Sequence, residues 1–112
     1  MQREIKIGTQ MVPMRATAST AYRYKQVFHG DLLTELARKK PNTENLPIAQ
    51  QLAFIMAKSA EGANMNALDI NGYIDWLDNF EALDLAEALP AVIDLYTIST
   101  VPTSEAKKNN NQ

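Results

Sequence analysis

Residues 47–62 read "PIAQQLAFIMAKSAEG", and the fold turns on how that stretch is laid out. Ile48, Leu52, Ile55 and Met56 fall on one face of a helix, three and four residues apart. Ala49, Ala53, Phe54 and Ala57 make much of the opposite side apolar as well. A helix apolar nearly all round has no face to offer water, so other elements must wrap it. Pro47 suits the first turn, where a missing N–H costs nothing. The stretch predicts the central buried helix of a small domain, and its flanks must supply the wrapping.

Upstream, "REIKIGTQMVPMRAT" (residues 3–17) alternates at Ile5 and Ile7, turns near Gly8, and resumes with Val12 and Met14. That pattern predicts a short β-hairpin over residues 4–16, with Pro13 demoting the second strand to an edge. Two strands alone are marginal in water, so the hairpin must pack on the helices or pair with another copy. "TASTAYRYKQVFHGDLLTELARKK" (residues 17–40) offers Thr17 or Ser19 as N-cap and Ala21, Tyr24 and Phe28 at helical spacing. Gly30 is expected to take the left-handed conformation that ends this helix. Asp31 then caps a second short helix through Leu36, whose C-terminal dipole Arg38, Lys39 and Lys40 complement before Pro41. "PNTENLP" (residues 41–47) reads as a loop.

Downstream, "NMNALDINGYIDWLDNF" (residues 64–80) places Tyr73, Trp76, Leu77 and Phe80 at helical spacing. Leu85, Leu89, Val92, Ile93 and Tyr96 continue a stripe that Pro90 interrupts. An interior proline costs about 3 kcal/mol, so a kink at Pro90, or a new helix opening there, is expected rather than a straight rod. The last residues, "PTSEAKKNNNQ", hold almost no apolar content and predict a disordered polar tail over 101–112. The fold class is mainly α (α+β), one globular domain over residues 1–100: the hairpin, then four to six helices over 18–100 packed as a small orthogonal bundle.

The chain has 112 residues and a net charge of −2, with no cysteine. That length suits one domain, and the cysteine count rules out a disulfide framework and thiolate chemistry. No apolar run approaches the ~20 residues a membrane span needs, and neither a secretory leader nor a lipid anchor is expected. The charge is unevenly spread. Nine basic and four acidic residues precede Ser59, while two basic and nine acidic follow it, giving halves of +5 and −7. Such a chain either pairs its halves internally or offers a negative surface to a partner.

No constellation in the sequence points to catalysis. His29 is the lone imidazole, without the carboxylate or sulfur spacing of a metal site; beside Gly30 it reads as a helix-end residue. Asp69, Asn71 and Asp75 around Gly72 suggest a calcium loop, but the glycine is fourth and the twelfth residue is Phe80, where an EF-hand needs Glu. Asp75 with Asp78, and Asp84 with Glu87, lie three apart, yet acid–base work needs burial that drives their pKa values apart. The chain is expected not to be an enzyme, and to need no cofactor, metal or small-molecule substrate. The basic half, with Arg15, Arg23 and Lys25, raises nucleic-acid binding, but a sequence pI near 5.3 argues against it.

The segment "YIDWLDNFEALDLAEALPAVIDLY" (residues 73–96) combines the single tryptophan with six carboxylates and no Lys or Arg. Its aromatic stripe reads either as core or as a docking surface. Tyr73, Trp76, Phe80, Leu83, Leu85 and Leu89 supply more apolar side chains than one short helix face normally buries, a surplus that suits a protein-binding surface.

Together with "AYRYKQVFHGDLLTEL" (residues 21–36) and the intervening "LAFIMAKSA" (residues 52–60), that segment resembles the tail assembly chaperones of long-tailed bacteriophages and prophages. The likeness covers residues 4–99 and rests on residue-class patterns: a hairpin feeding an aromatic-rich helix, then an acidic helix, "EALP", and an apolar helix ending in an aromatic. The resemblance implies a protein of the host bacterial cytoplasm, absent from the mature virion, that keeps the tape measure protein soluble until tail tube subunits polymerise round it. Its implied partners are the tape measure protein and the major tail tube protein; self-association is open through the hairpin edge; no nucleic acid or membrane is implied. The candidate partner-binding residues are Tyr73, Trp76, Leu77, Phe80, Leu83, Asp84 and Glu87. In such phages a longer form often arises by a −1 ribosomal slip near the stop codon, and "KKNNN" forces an A-rich message at residues 107–111. The rival readings are a head–tail or tail completion protein of the virion and a small DNA-binding regulator.

Overall fold

The computed structural model describes residues 1–32 and 46–100. Strand β1 (Gln2–Ile7) pairs antiparallel with β2 (Gln10–Arg15), in a register that sets Ile5 opposite Val12 and Glu4 opposite Pro13. The two-residue turn needs a positive φ at its first position, which Gly8 supplies at 64°. Met1 and Ala16 exchange both backbone hydrogen bonds, each 2.8 Å. Because such pairs alternate along an antiparallel ladder, Pro13 falls at a position whose N–H would point away from β1. Its missing donor therefore costs the hairpin no bond. Ile5, Ile7 and Met14 are buried, while Gln2, Glu4, Lys6, Met11, Pro13 and Arg15 line the opposite, exposed face.

Helix α1 (Thr20–Phe28) follows. Ser19 holds the N-cap position without a capping bond from its side chain. The approach is tied instead by Thr17, whose N–H donates to the Thr20 hydroxyl at 2.9 Å; Thr20 is the one buried polar residue among those described. The helix ends on His29, not on Gly30: His29 takes the left-handed conformation at φ 63° while its N–H still reaches the Lys25 carbonyl. Histidine tolerates that region better than most side chains, so the imidazole end-residue itself does what the glycine was expected to do. The Asp31-capped helix through Leu36, the Arg38, Lys39 and Lys40 run and the loop at residues 41–45 lie outside the described residues, as does the tail at 101–112.

Helix α2 (Leu46–Glu61) is the predicted centre. Ile48 and Ala49, and every residue from Leu52 to Ala57, are buried. It touches β2, α1 and both following helices. The Tyr24 hydroxyl donates to Gln51 Oε1 at 2.7 Å, fastening α1 across it. A glycine closes the helix: Gly62 at φ 77° donates to the Ser59 carbonyl and Ala63 to that of Lys58, the paired bonds that satisfy a helix's last acceptors.

A 3-10 turn (Met65–Ala67) leads to helix α3 (Ile70–Leu77) and then α4 (Ala82–Ser99). Helix α4 runs unbroken through Pro90, so no new helix opens there. Pro90 is exposed, which explains its tolerance: the carbonyl four residues back loses its helical donor on the water side, where solvent can replace it. Leu85, Ala88, Leu89, Val92, Leu95 and Tyr96 turn inward against α2 and β1. All of these elements share one hydrophobic core. Among the described residues no helix is long and apolar enough to cross a membrane.

Candidate protein-binding site

Helix α3 begins where Asp69, extended at the N-cap, accepts a 2.8 Å hydrogen bond from the Gly72 N–H. The residue that suggested a calcium ligand is a helix cap. From there eight residues make two turns, and the two sides of α3 differ sharply. Tyr73 and Trp76 face inward, with Leu77 and then Phe80 packed at the core margin. Ile70 and Ile74, one turn apart on the other side, are 47% and 48% exposed.

The inward rings join a continuous series. Tyr24 meets Phe28 at 5.3 Å between ring centres, Phe28 meets Tyr73 at 5.0 Å, and Tyr73 meets Phe54 at 5.5 Å. Phe54 meets Trp76 at 5.9 Å and Trp76 meets Phe80 edge-on at 5.0 Å. These distances suit the tilted and edge-to-face pairings that aromatic quadrupoles favour. Burial, with a smaller contribution from Tyr24, pushes the Tyr73 phenol up to about 12, so its ring stays neutral at any physiological pH.

The first turn of α4 carries Leu83, 69% exposed. Asp84 behind it is half-buried beneath the hairpin turn: a Cβ on Gly8 would fall 2.5 Å from Asp84 Oδ2. Gln10 Nε2 donates to the Asn79 carbonyl at 3.3 Å, so the hairpin tip rests on the α3–α4 connection. The sequence has no Lys or Arg between Lys58 and Lys107. Asp75, Asp78, Glu81 and Glu87 are exposed and make no ion pair among the described residues. Arg3 reaches across to Asp94 at 3.4 Å, an ion pair that ties β1 to α4.

The seven candidate residues therefore separate. Leu83 and Glu87 reach the surface; Asp84 supports the hairpin turn; Tyr73, Leu77 and Phe80 are partly covered. Trp76, at 8% exposure, belongs to the core and offers no ring to a partner. What presents apolar surface beside it is Ile70 and Ile74, which the aromatic stripe drew attention away from. Their signal was present: Ile70, Ile74 and Leu77 are spaced i, i+4, i+7, a second apolar line on the same short helix. Asp75 and Asp78 both face solvent rather than a shared buried site. His29 is exposed at the end of α1, and no three His, Asp or Glu side chains among the described residues gather as a metal site. The chain matches no protein-family model, no curated protein and no solved structure.

Proposed function

We propose that this chain is a tail assembly chaperone, a binding protein without chemistry of its own, that holds the tape measure protein in the host cytoplasm. The supporting observation is the outward side of α3 with the first turn of α4. Within residues 70–87, Ile70, Ile74 and Leu83 are exposed, as are Asp75, Asp78, Glu81 and Glu87, and that part of the sequence has no basic side chain. Apolar side chains of this size contribute about 1.5–3 kcal/mol each when fully covered. Being already half in contact with the fold, they gain less than that, which suits a grip that must yield to tube polymerisation. The surrounding carboxylates repel neighbouring complexes of like charge and keep a coated partner dispersed. Trp76 and Phe80 act from beneath in this reading, as the rigid floor on which the face is built.

Co-expression with a tape measure protein tests it. The parent chain should raise the soluble fraction of tape measure, and an Ile74→Asp, Leu83→Asp double variant, folded by circular dichroism, should not. A parent without effect sinks the function; a variant that protects equally well sinks the site. Mass spectrometry of purified particles should find no stoichiometric copy in the virion. A structural copy number would favour a completion protein instead.

A further inference from the structure

The two edges of the hairpin are not equivalent. Backbone groups at Gln2, Glu4 and Lys6 on β1, and at Met11, Pro13 and Arg15 on β2, point away from the partner strand, by the alternation that the bonds between Met1 and Ala16 establish. On β2 the middle of these positions is Pro13, which has no N–H to give, and the edge is blunted. On β1 the three positions carry full donors and acceptors. Its register with β2 runs without a bulge, and among the described residues no backbone bond engages those outward groups. Gln2, Glu4 and Lys6 are all exposed.

We infer that β1 is a self-complementary edge, and that a second copy of this chain adds to it antiparallel, joining two hairpins into one four-stranded sheet. Charge selects both the occupant and the register. The pairing that bonds outward groups on both strands and centres the two-fold axis at Ile5 puts Glu4 directly opposite the partner's Lys6, and Lys6 opposite the partner's Glu4. Moving the strands by two residues either way, the smallest shift that keeps each face on its own side, sets Glu4 against Glu4 or Lys6 against Lys6. Opposite charges across a strand pair stabilise and like charges destabilise, so the alternatives are disfavoured. A lysine on an edge strand usually repels another copy; a Glu two residues before it converts that repulsion into a match. The contact is isologous, so it closes at two copies and does not propagate. Pro13 guards the other edge against continuing the sheet.

Sedimentation of the full chain over a concentration series, with vesicles and partner proteins absent, is the test. The parent should form a dimer and nothing larger. Lys6→Glu should weaken that dimer about tenfold, and a Glu4→Lys, Lys6→Glu double exchange should restore it. Glu4→Pro, which removes an outward N–H and the carboxylate facing Lys6 but no bond within the hairpin, should leave a monomer whose circular dichroism matches the parent. The inference is overturned if the parent is monomeric at millimolar concentration. It is equally overturned if the dimer ignores Lys6→Glu, since the contact then lies elsewhere, or if β1 pairs only with an extended segment of another protein.

Discussion

Helices α2 and α3 are both rich in apolar residues, yet one is core on all sides and the other on one. The difference lies in their neighbours. Helix α2 is touched by β2, α1, α3 and α4, and its side chains from Leu52 to Ala57 are swallowed whichever way they point. Helix α3 has its main contact with α2 alone. Its rings find that neighbour, and Ile70 and Ile74 find water. Apolar composition therefore states how much surface a helix would like to bury, and the number of surrounding elements decides how much it does bury.

The sharpest way to break this contrast is from the α2 side. Phe54 is fully buried and touches the rings of Phe28, Tyr73 and Trp76, so Phe54→Ala should cost about 3–5 kcal/mol in urea unfolding. Trp76→Ala, at the margin of the same ring series, should cost about 3 kcal/mol. A loss below ~1 kcal/mol would mean that the inner side of α3 is not core after all. Removing the cap with Asp69→Ala should cost about 1 kcal/mol, since the Gly72 N–H loses its acceptor.

Alkaline titration sharpens the comparison without a large mutation. The folded state favours the neutral Tyr73 phenol, whose pKa is raised from 10.0 to about 12. Its contribution is thus fully present below pH 10 and lost as pH climbs through about 12. The Tyr96 phenol is raised in the same direction by burial and, less, by Asp31. Absorbance of tyrosinate should show these two ionising late, and Tyr73→Phe should remove one late step. If all the tyrosines ionise together near pH 10 while the chain remains folded, the inner side of α3 is wetter than its packing requires. The smallest effect belongs to the outer side. Ile74→Ser should change stability by no more than about 0.5 kcal/mol, because the side chain it removes is already half in water. Loss of partner capture without loss of stability would separate the two sides of α3.

Much of the architecture was legible in one dimension because it depends on local periodicity. The alternation of Ile5 and Ile7 around Gly8, and the all-round apolar pattern of residues 47–62, each encode an element that neighbours modify little. Helix boundaries were harder where two adjacent residues competed, as at His29 and Gly30, and Pro90 proved compatible with a continuous α4 because it lies on the solvent side. Whether a side chain lies inside or outside was least legible. Trp76 and Ile74 stand two residues apart in the same apolar segment, and nothing in their spacing says which one meets α2. The sequence by itself determined a hairpin, a central helix and an acidic second half without bases, since these follow from spacing and composition. Only the tertiary structure decided which line of α3 is surface and which backbone groups of the hairpin point outward, because both depend on what lies beside them in space.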